Sequence, residues 1–293
     1  MSRSVRPLCL IVNPNAGGGR AGRVLPRAEA ALRARGFAFR VERTASMEHA
    51  RELARGALAA GEAAVAMGGD GLTGAVAGEL HGTDAVLGIL PGGRGNDFAR
   101  KLGIPFEPEP ACDVLAAWNE RAVDVAVAGG RAYLGIASAG FDSDVHDIAE
   151  ASRLPLGSAV YTYAALAALR GWRDATWHVE VDGTPHDFVG YSVAVANSGV
   201  FGGGMRLVPD ASLDDGLLDV LLTRSAPKSR FLVNLPRVFK GAHVGEPHLV
   251  FLRGREIRFH ADRPFTAYAD GEALAELPVT IGVRPRALKV LAP

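Results

Sequence analysis

The stretch AAVAMGGDGLTGAVAGEL, residues 63–80, decides the fold. Its first five residues are apolar and read as a buried strand, GGDG as a tight loop, and LTGAVAGEL as a helix. A glycine-rich turn from strand to helix lets bare backbone N–H groups approach an anion such as phosphate. Asp70 sits inside that cradle, where a carboxylate repels phosphate. It therefore needs something positive or protic to hold: a metal ion, an arginine, or a hydroxyl about to lose its proton.

The same unit recurs on either side. PLCLIVN reads as a strand before the helical GRVLPRAEAALRARG, and FAFRVER as a strand before SMEHARELARGALAAG. AVLGIL is a further strand and leads into PGGRGNDFARKLG. Strands alternating with helices predict a parallel sheet covered on both faces. Ligands of such sheets bind outside the carboxyl ends of the strands. NPNAG, GGDG and PGGRGND all fall at that edge. GGGRAG, residues 17–22, also fits the dinucleotide pattern G-x-G-x-x-G, with Glu42 about 20 residues on. Asn13-Pro14-Asn15 separates those glycines from their strand, however, and a dinucleotide reading leaves the other two loops unexplained. No G-K-[ST] follows any glycine run, which excludes a Walker loop.

After PFEPEP the rhythm changes. RAVDVAVAG and RAYLGIASAG form an expected hairpin, and a helical stretch runs from about Ser143 to Arg170. Short strands with DG and RG turns follow, typical of antiparallel sheet, with one helix near Ser229 to Lys240. The reading is an α/β N-terminal domain over residues 1–123 and a β-rich antiparallel domain over 124–284, with 285–293 returning to the first.

Bulk properties narrow the function. The chain has 293 residues with 32 basic and 32 acidic side chains. Its pI is about 7.1, so charge makes no global case for nucleic acid. Cys9 and Cys112 are too few for a disulfide framework or a cysteine zinc site. MSRSVRP lacks the apolar core of a signal peptide, and no run approaches a membrane span. A cytoplasmic protein is expected. His146 with Asp144 and Asp147 is a minor metal alternative.

The order and spacing of NPNAG, GGDG, PGGRGND, NSGVFGGGMRLVPDASLDDGLLDV (197–220) and YADGE (268–272) resemble the diacylglycerol kinase catalytic family, which includes sphingosine and ceramide kinases. The resemblance spans nearly the whole chain. It implies a nucleotide domain akin to those of NAD kinases and phosphofructokinases, a lipid domain, and ATP in the cleft between them. The implied activity is transfer of the γ-phosphate of ATP, with Mg2+, to a lipid hydroxyl. A same-fold kinase on a soluble substrate and a non-catalytic nucleotide sensor are the alternatives.

The resemblance also implies roles for particular residues. Asn13, Pro14, Asn15, Gly17, Thr44, Gly69, Asp70, Gly71, Leu72, Thr73, Arg94 and Asn96 fall where the family binds nucleotide. Glu272 aligns with its proposed general base, and Asp124 resembles an aspartate facing the cleft. Asp70 either holds a magnesium-bound water or faces the lipid hydroxyl. Asp215 with the carbonyls of Ser212 and Leu217 matches a metal loop. Two places depart from the family pattern. Leu72, Thr73, Gly74 and Ala75 stand where Thr, a variable residue, Asn and Glu are usual, and Arg94 replaces a Thr. Phe201, Met205 and LGSAVYTYAALAALRGW are candidates to line lipid access. The implied partners are a membrane lipid, met by transient peripheral contact at the inner membrane face, and a possible homodimer; no nucleic acid is expected.

Overall fold

The computed structural model describes residues 6–152 and 159–293. Its first part alternates as expected: β1 (Leu8–Val12), α1 (Ala16–Ala34), β2 (Phe39–Arg43), α2 (Met47–Ala59), β3 (Ala63–Gly68), α3 (Asp70–Leu80) and β4 (Val86–Pro91). Two short helices follow, α4 (Asp97–Leu102) and α5 (Pro108–Ala117). β1, β3 and β4 are buried along their whole length, which explains their unbroken apolar runs. They pair in parallel, in the order β2-β1-β3-β4, with Val12 opposite Met67 and Gly68 opposite Pro91. That register brings the carboxyl ends of β1, β3 and β4 to one edge. α2 starts where Ser46 Oγ accepts the His49 N–H, and it turns Ala50, Ala54 and Ala57 inward at helical spacing.

The second part begins with the expected hairpin of β5 (Glu120–Ala128) and β6 (Arg131–Tyr133), then β7 (Ile136–Gly140). The helical stretch is two helices, α6 (Phe141–Ala151) and α7 (Ala159–Gly171). Leu156 to Ser158 of the candidate lipid-access segment lie outside the described residues. Then come β8 (Ala175–Val181), β9 (Thr184–Pro185), β10 (Phe188–Ala196), β11 (Val200–Phe201), β12 (Met205–Arg206) and β13 (Leu218–Arg224). The chain ends with α8 (Lys228–Val238), β14 (Leu249–Gly254), β15 (Glu256–Ala261), β16 (Thr266–Ala269), β17 (Glu272–Glu276) and β18 (Val279–Leu291). Antiparallel pairing dominates here, as the DG and RG turns predict.

β18 joins the halves. Its first residues pair antiparallel with β15, and Lys289 and Val290 lie parallel beside Val86 and Leu87 of β4. An irregularity between Arg284 and Leu288 lets the strand change neighbours while staying paired with β5. One hydrogen-bonded path therefore runs β17-β16-β7-β10-β8-β15-β18-β4-β3-β1-β2. One core packs β1, β3 and β4 against α1 to α5 and takes in Leu288, Val290 and Leu291 of β18. A second is aromatic, with Trp177 stacked on Phe265 at 5.3 Å and Phe141 edge-on to Trp172 at 5.5 Å. Cys9 and Cys112 are both buried and unpaired.

Candidate active site

Three loops meet at the carboxyl edge of the parallel strands, backbone against backbone. The N–H groups of Gly92 and Gly93 both donate to the Gly68 carbonyl, at 2.7 and 2.9 Å. A Cβ on Gly93 would stand 2.4 Å from Gly69 Cα, so no larger residue fits. Gly17 has φ +63°, and a Cβ there would meet the Gly92 carbonyl oxygen at 2.5 Å. Asn13 donates its N–H to Met67 O (3.1 Å), and its Oδ1 accepts the Asn15 N–H (3.1 Å). Gly22 N–H closes on the Pro14 carbonyl at 3.2 Å. The first glycine of GGGRAG thus packs onto the third loop, which a dinucleotide turn has no reason to do. Arg94 is exposed above this junction, about a van der Waals contact (4.0 Å) from a Cβ at Gly18, and it forms no ion pair among the described residues.

Asn96 braces the third loop. It is buried in the left-handed conformation (φ 51°), a region asparagine tolerates. Its Oδ1 accepts the Gly93 N–H (2.8 Å) and its Nδ2 donates to the Gly93 carbonyl (3.0 Å). Its side chain is thereby turned to the loop itself. Leu72 and Thr73 also face inward. Leu72 belongs to the first core, and Thr73 Oγ1 donates back to the Gly69 carbonyl at 3.1 Å. Thr44 is half-buried just past β2, its N–H on the Val12 carbonyl (2.8 Å), while the cap of α2 is Ser46.

The position of Asp70 answers the question its loop raised. It opens α3, where the helix dipole favours negative charge. Its Oδ1 accepts the Phe98 N–H (3.0 Å) and so ties α3 to α4. Its Oδ2 faces Gly95, where a Cβ would lie 3.1 Å from it and 3.2 Å from Asp97 Oδ2. Asp97 is buried, with Oδ2 on the Gly203 N–H (2.8 Å) and Oδ1 buried without a hydrogen bond. Burial pushes the Asp97 carboxyl above the usual range, against the Gly203 N–H, and the nearby charge of Asp70 adds to the rise.

The other wall comes from the hairpin of β16 and β17. Asp270 was hidden in the sequence, since YADGE reads as an ordinary turn. Its Oδ2 accepts the Leu134 N–H (2.9 Å) and its Oδ1 the Gly135 N–H (3.0 Å). Burial pushes its carboxyl up to about 7; the backbone N–H bonds pull it down, and Asp70 and Glu272 push it further up. Gly74, where the family usually has Asn, makes room: a Cβ there would be 3.0 Å from Asp270 Oδ2. Glu272 Oε2 pairs with Arg51 (3.1 Å) and Arg131 (3.2 Å). A cavity of about 280 Å³ lies between α2, α3 and this hairpin, with Gly71, Gly74, Arg51, Arg131, Asp270 and Glu272 in its lining.

Other residues singled out from the sequence are held by their own contacts. Asp124 is fully buried. Its Oδ2 accepts the Gly216 N–H and its Oδ1 the Arg286 N–H, both at 2.7 Å, so it fastens the DDG turn to β18. Asp215 Oδ1 accepts the Leu217 N–H (3.1 Å), and its Oδ2 lies 3.5 Å from Arg253. Ser212 Oγ donates to Asp214, so its hydroxyl is turned to its own loop. Asp147 accepts the Tyr268 hydroxyl (2.6 Å), and His146 packs edge-on to that ring.

The fit to magnesium rests on Asp70 and Asp97. Asp97 Oδ2 faces the same Gly95 position as Asp70 Oδ2, and Asp97 Oδ1 is buried without a hydrogen bond, 3.8 Å from Arg100 Nε. Among the described residues no group of three His, Cys, Asp or Glu side chains is placed to hold an ion. Magnesium commonly takes one or two carboxylates, with phosphates and waters completing its shell. The donor set fits that pattern.

A glycine cradle at the edge of a parallel sheet, a carboxylate within it and a polar cavity alongside define a phosphotransferase. The comparisons name its kind. Residues 7–128 match the model of the diacylglycerol kinase catalytic domain, and residues 135–292 that of the YegS C-terminal NAD kinase beta sandwich-like domain. A diacylglycerol kinase of Mycobacterium tuberculosis is 36% identical, over 97% of this chain and 94% of that one. A Pseudomonas fluorescens protein named "Probable lipid kinase YegS-like" is 33% identical, over 90% and 88%. A solved diacylglycerol kinase structure from Bacillus anthracis has the same fold, with TM-score 0.79 at 22% identity, covering 100% of this chain and 98% of that chain. The chain belongs to the diacylglycerol kinase and YegS-like family of lipid kinases.

Proposed function

We propose that the protein transfers the γ-phosphate of ATP to the hydroxyl of a diacylglycerol-like lipid. The observation that carries this reading is the cavity beside the glycine cradle. Gly71 lines it, one residue from Asp70, so a hydroxyl held there comes next to the phosphate site. The backbone N–H groups of the loops after β1, β3 and β4 and the Arg94 guanidinium hold the phosphates. Asp70 and Asp97 would hold the magnesium ion, which when bound neutralises phosphate charge.

Glu272 takes the proton. Arg51 and Arg131 fix its Oε2, which leaves Oε1 for the acceptor hydroxyl. As the proton moves to Glu272, the hydroxyl oxygen bonds to the γ-phosphorus and the bond to the β–γ bridging oxygen breaks. That oxygen leaves on ADP with the electron pair. Asp270 shapes the cavity wall and holds the hairpin to Leu134 and Gly135.

The charged lining of the cavity favours a second reading, a kinase on a soluble polyol. The relatives named as lipid kinases favour the first. Competition decides between them. With diacylglycerol in neutral detergent micelles and excess glycerol together, the first reading predicts phosphatidic acid as product. Glycerol phosphate alone would establish the second.

A further inference from the structure

The helix α8 exposes apolar side chains while it buries a polar one. Its buried residue is polar, Asn234, which accepts from Arg237 (3.1 Å). Arg237 also pairs with Glu246, as does Arg230 at 2.8 Å. Phe231 pins the helix from within, 4.7 Å from the Phe141 ring and 5.8 Å from Tyr191. The outward face is apolar. Leu232 is 44% exposed, Val233 61%, Phe239 49% and Val244, in the turn beyond, 47%. These are four of the seven large hydrophobic side chains that stand exposed among the described residues. A single exposed leucine needs no explanation, but four on one helix and its turn do.

The charge around this face is one-sided. Residues 224–245 carry Arg224, Lys228, Arg230, Arg237 and Lys240 and no Asp or Glu, in a chain whose charges balance. The first acid, Glu246, is already engaged by Arg230 and Arg237. Lys228 Nζ donates to the Arg170 carbonyl (3.0 Å), tying this segment to the end of α7. The far end reaches the candidate active site through one loop. His243 Nε2 donates to the Leu207 carbonyl (2.8 Å), and Gly203 of the same loop donates to Asp97.

We infer that the outward face of α8 and the turn after it form the docking surface for an anionic phospholipid bilayer. Apolar side chains beside Arg224, Lys228 and Lys240, with the first acid, Glu246, held by Arg230 and Arg237, are what such an interface takes. A second copy of the chain fits worse, because a two-fold contact through this face sets Arg224, Lys228 and Lys240 of one copy against those of the other. No described helix is long and apolar enough to cross a membrane, so attachment through α8 is peripheral. The inference rests on the lipid-kinase reading for its purpose, but binding is measured without turnover.

The test is co-sedimentation with sucrose-loaded vesicles, either of phosphatidylcholine alone or with phosphatidylglycerol added. The wild-type protein is expected to pellet with the anionic vesicles, to release at high salt, and to leave neutral vesicles unbound. Val233→Glu, Phe239→Glu and Lys240→Glu each lower partitioning about tenfold or more. Far-UV circular dichroism, sedimentation equilibrium and activity in neutral detergent micelles accompany each variant and stay at wild-type values. Absence of wild-type binding, or variants that bind as well as wild type, overturns the inference. So does a Val233→Glu change that splits a dimer and leaves vesicle binding intact. Docking as expected with no lipid phosphorylated in any format refutes the kinase reading alone, whereas micelle activity without docking refutes the surface alone.

Discussion

Asn96→Ala removes the brace of the third loop, and its effect follows from the contacts. Two hydrogen bonds to Gly93, at 2.8 and 3.0 Å, disappear; each contributes about 1 kcal/mol. The Gly93 N–H keeps the Gly68 carbonyl at 2.9 Å. The buried Gly93 carbonyl keeps no partner, which adds roughly 1–2 kcal/mol. Alanine must also hold the left-handed conformation that asparagine holds at φ 51°, for about 1 kcal/mol more. The expected loss is about 4–5 kcal/mol, large against a total of roughly 5–15 kcal/mol. Asn96→Gly removes the backbone part and is expected to recover about 1 kcal/mol of it. Urea unfolding followed by far-UV circular dichroism measures both, with the m-value unchanged. An Asn96→Ala protein within about 1 kcal/mol of wild type would refute the brace. A glycine variant less stable than the alanine one would refute the backbone argument.

Other outcomes follow from neighbouring residues. Gly17→Ala sets a methyl against the Gly92 carbonyl and is expected to destabilise by about 1–3 kcal/mol and to weaken ATP binding by calorimetry; Gly18→Ala, with nothing nearer than 4.0 Å, does less. Asp70→Asn keeps an acceptor for the Phe98 N–H, so its melting temperature stays near wild type while kcat drops about 10²–10³-fold; an unchanged kcat would remove Asp70 from the site. Asp270 makes stability depend on pH, because its folded carboxyl is pushed up to about 7 and an unfolded one titrates near ~4. Between those values the folded chain keeps a proton that the unfolded chain has released, so stability falls as pH rises through the window and levels above it. Asp270→Asn is expected to flatten that slope between about pH 4 and about pH 7 in urea unfolding.

Much of this was legible because the signals are local. LCLIV, AAVAMG and VLGILP are buried on both faces, so their apolar runs announced parallel strands. The glycines after them marked the ligand edge. Asp270 was hidden because its partners, Leu134 and Gly135, lie far away in sequence and contribute only backbone N–H groups. Asp97 lies in PGGRGND, but that its Oδ1 is buried without a hydrogen bond depends on Gly203 and on the packing around it. Leu72 and Thr73 matched a motif by position, yet the helix begins at Asp70 and turns both inward. The bonds that Asp124 accepts from Gly216 and Arg286 were not legible either, because only the folded chain brings these residues together. The apolar outer face of α8 could not be told from a core face, because periodicity gives a helix its stripe without saying which side is covered.

The central claim is phosphate transfer from ATP to a lipid hydroxyl with Glu272 as proton acceptor. It is tested most directly with γ-labelled ATP, magnesium and a total bacterial lipid extract in mixed micelles, followed by solvent extraction, with Glu272→Gln alongside. The account predicts label in the organic phase as a phosphorylated lipid, at a rate that falls about 10²–10⁴-fold in the variant. Label confined to the aqueous phase despite ATP binding, or a glutamine variant that works at the wild-type rate, would contradict it.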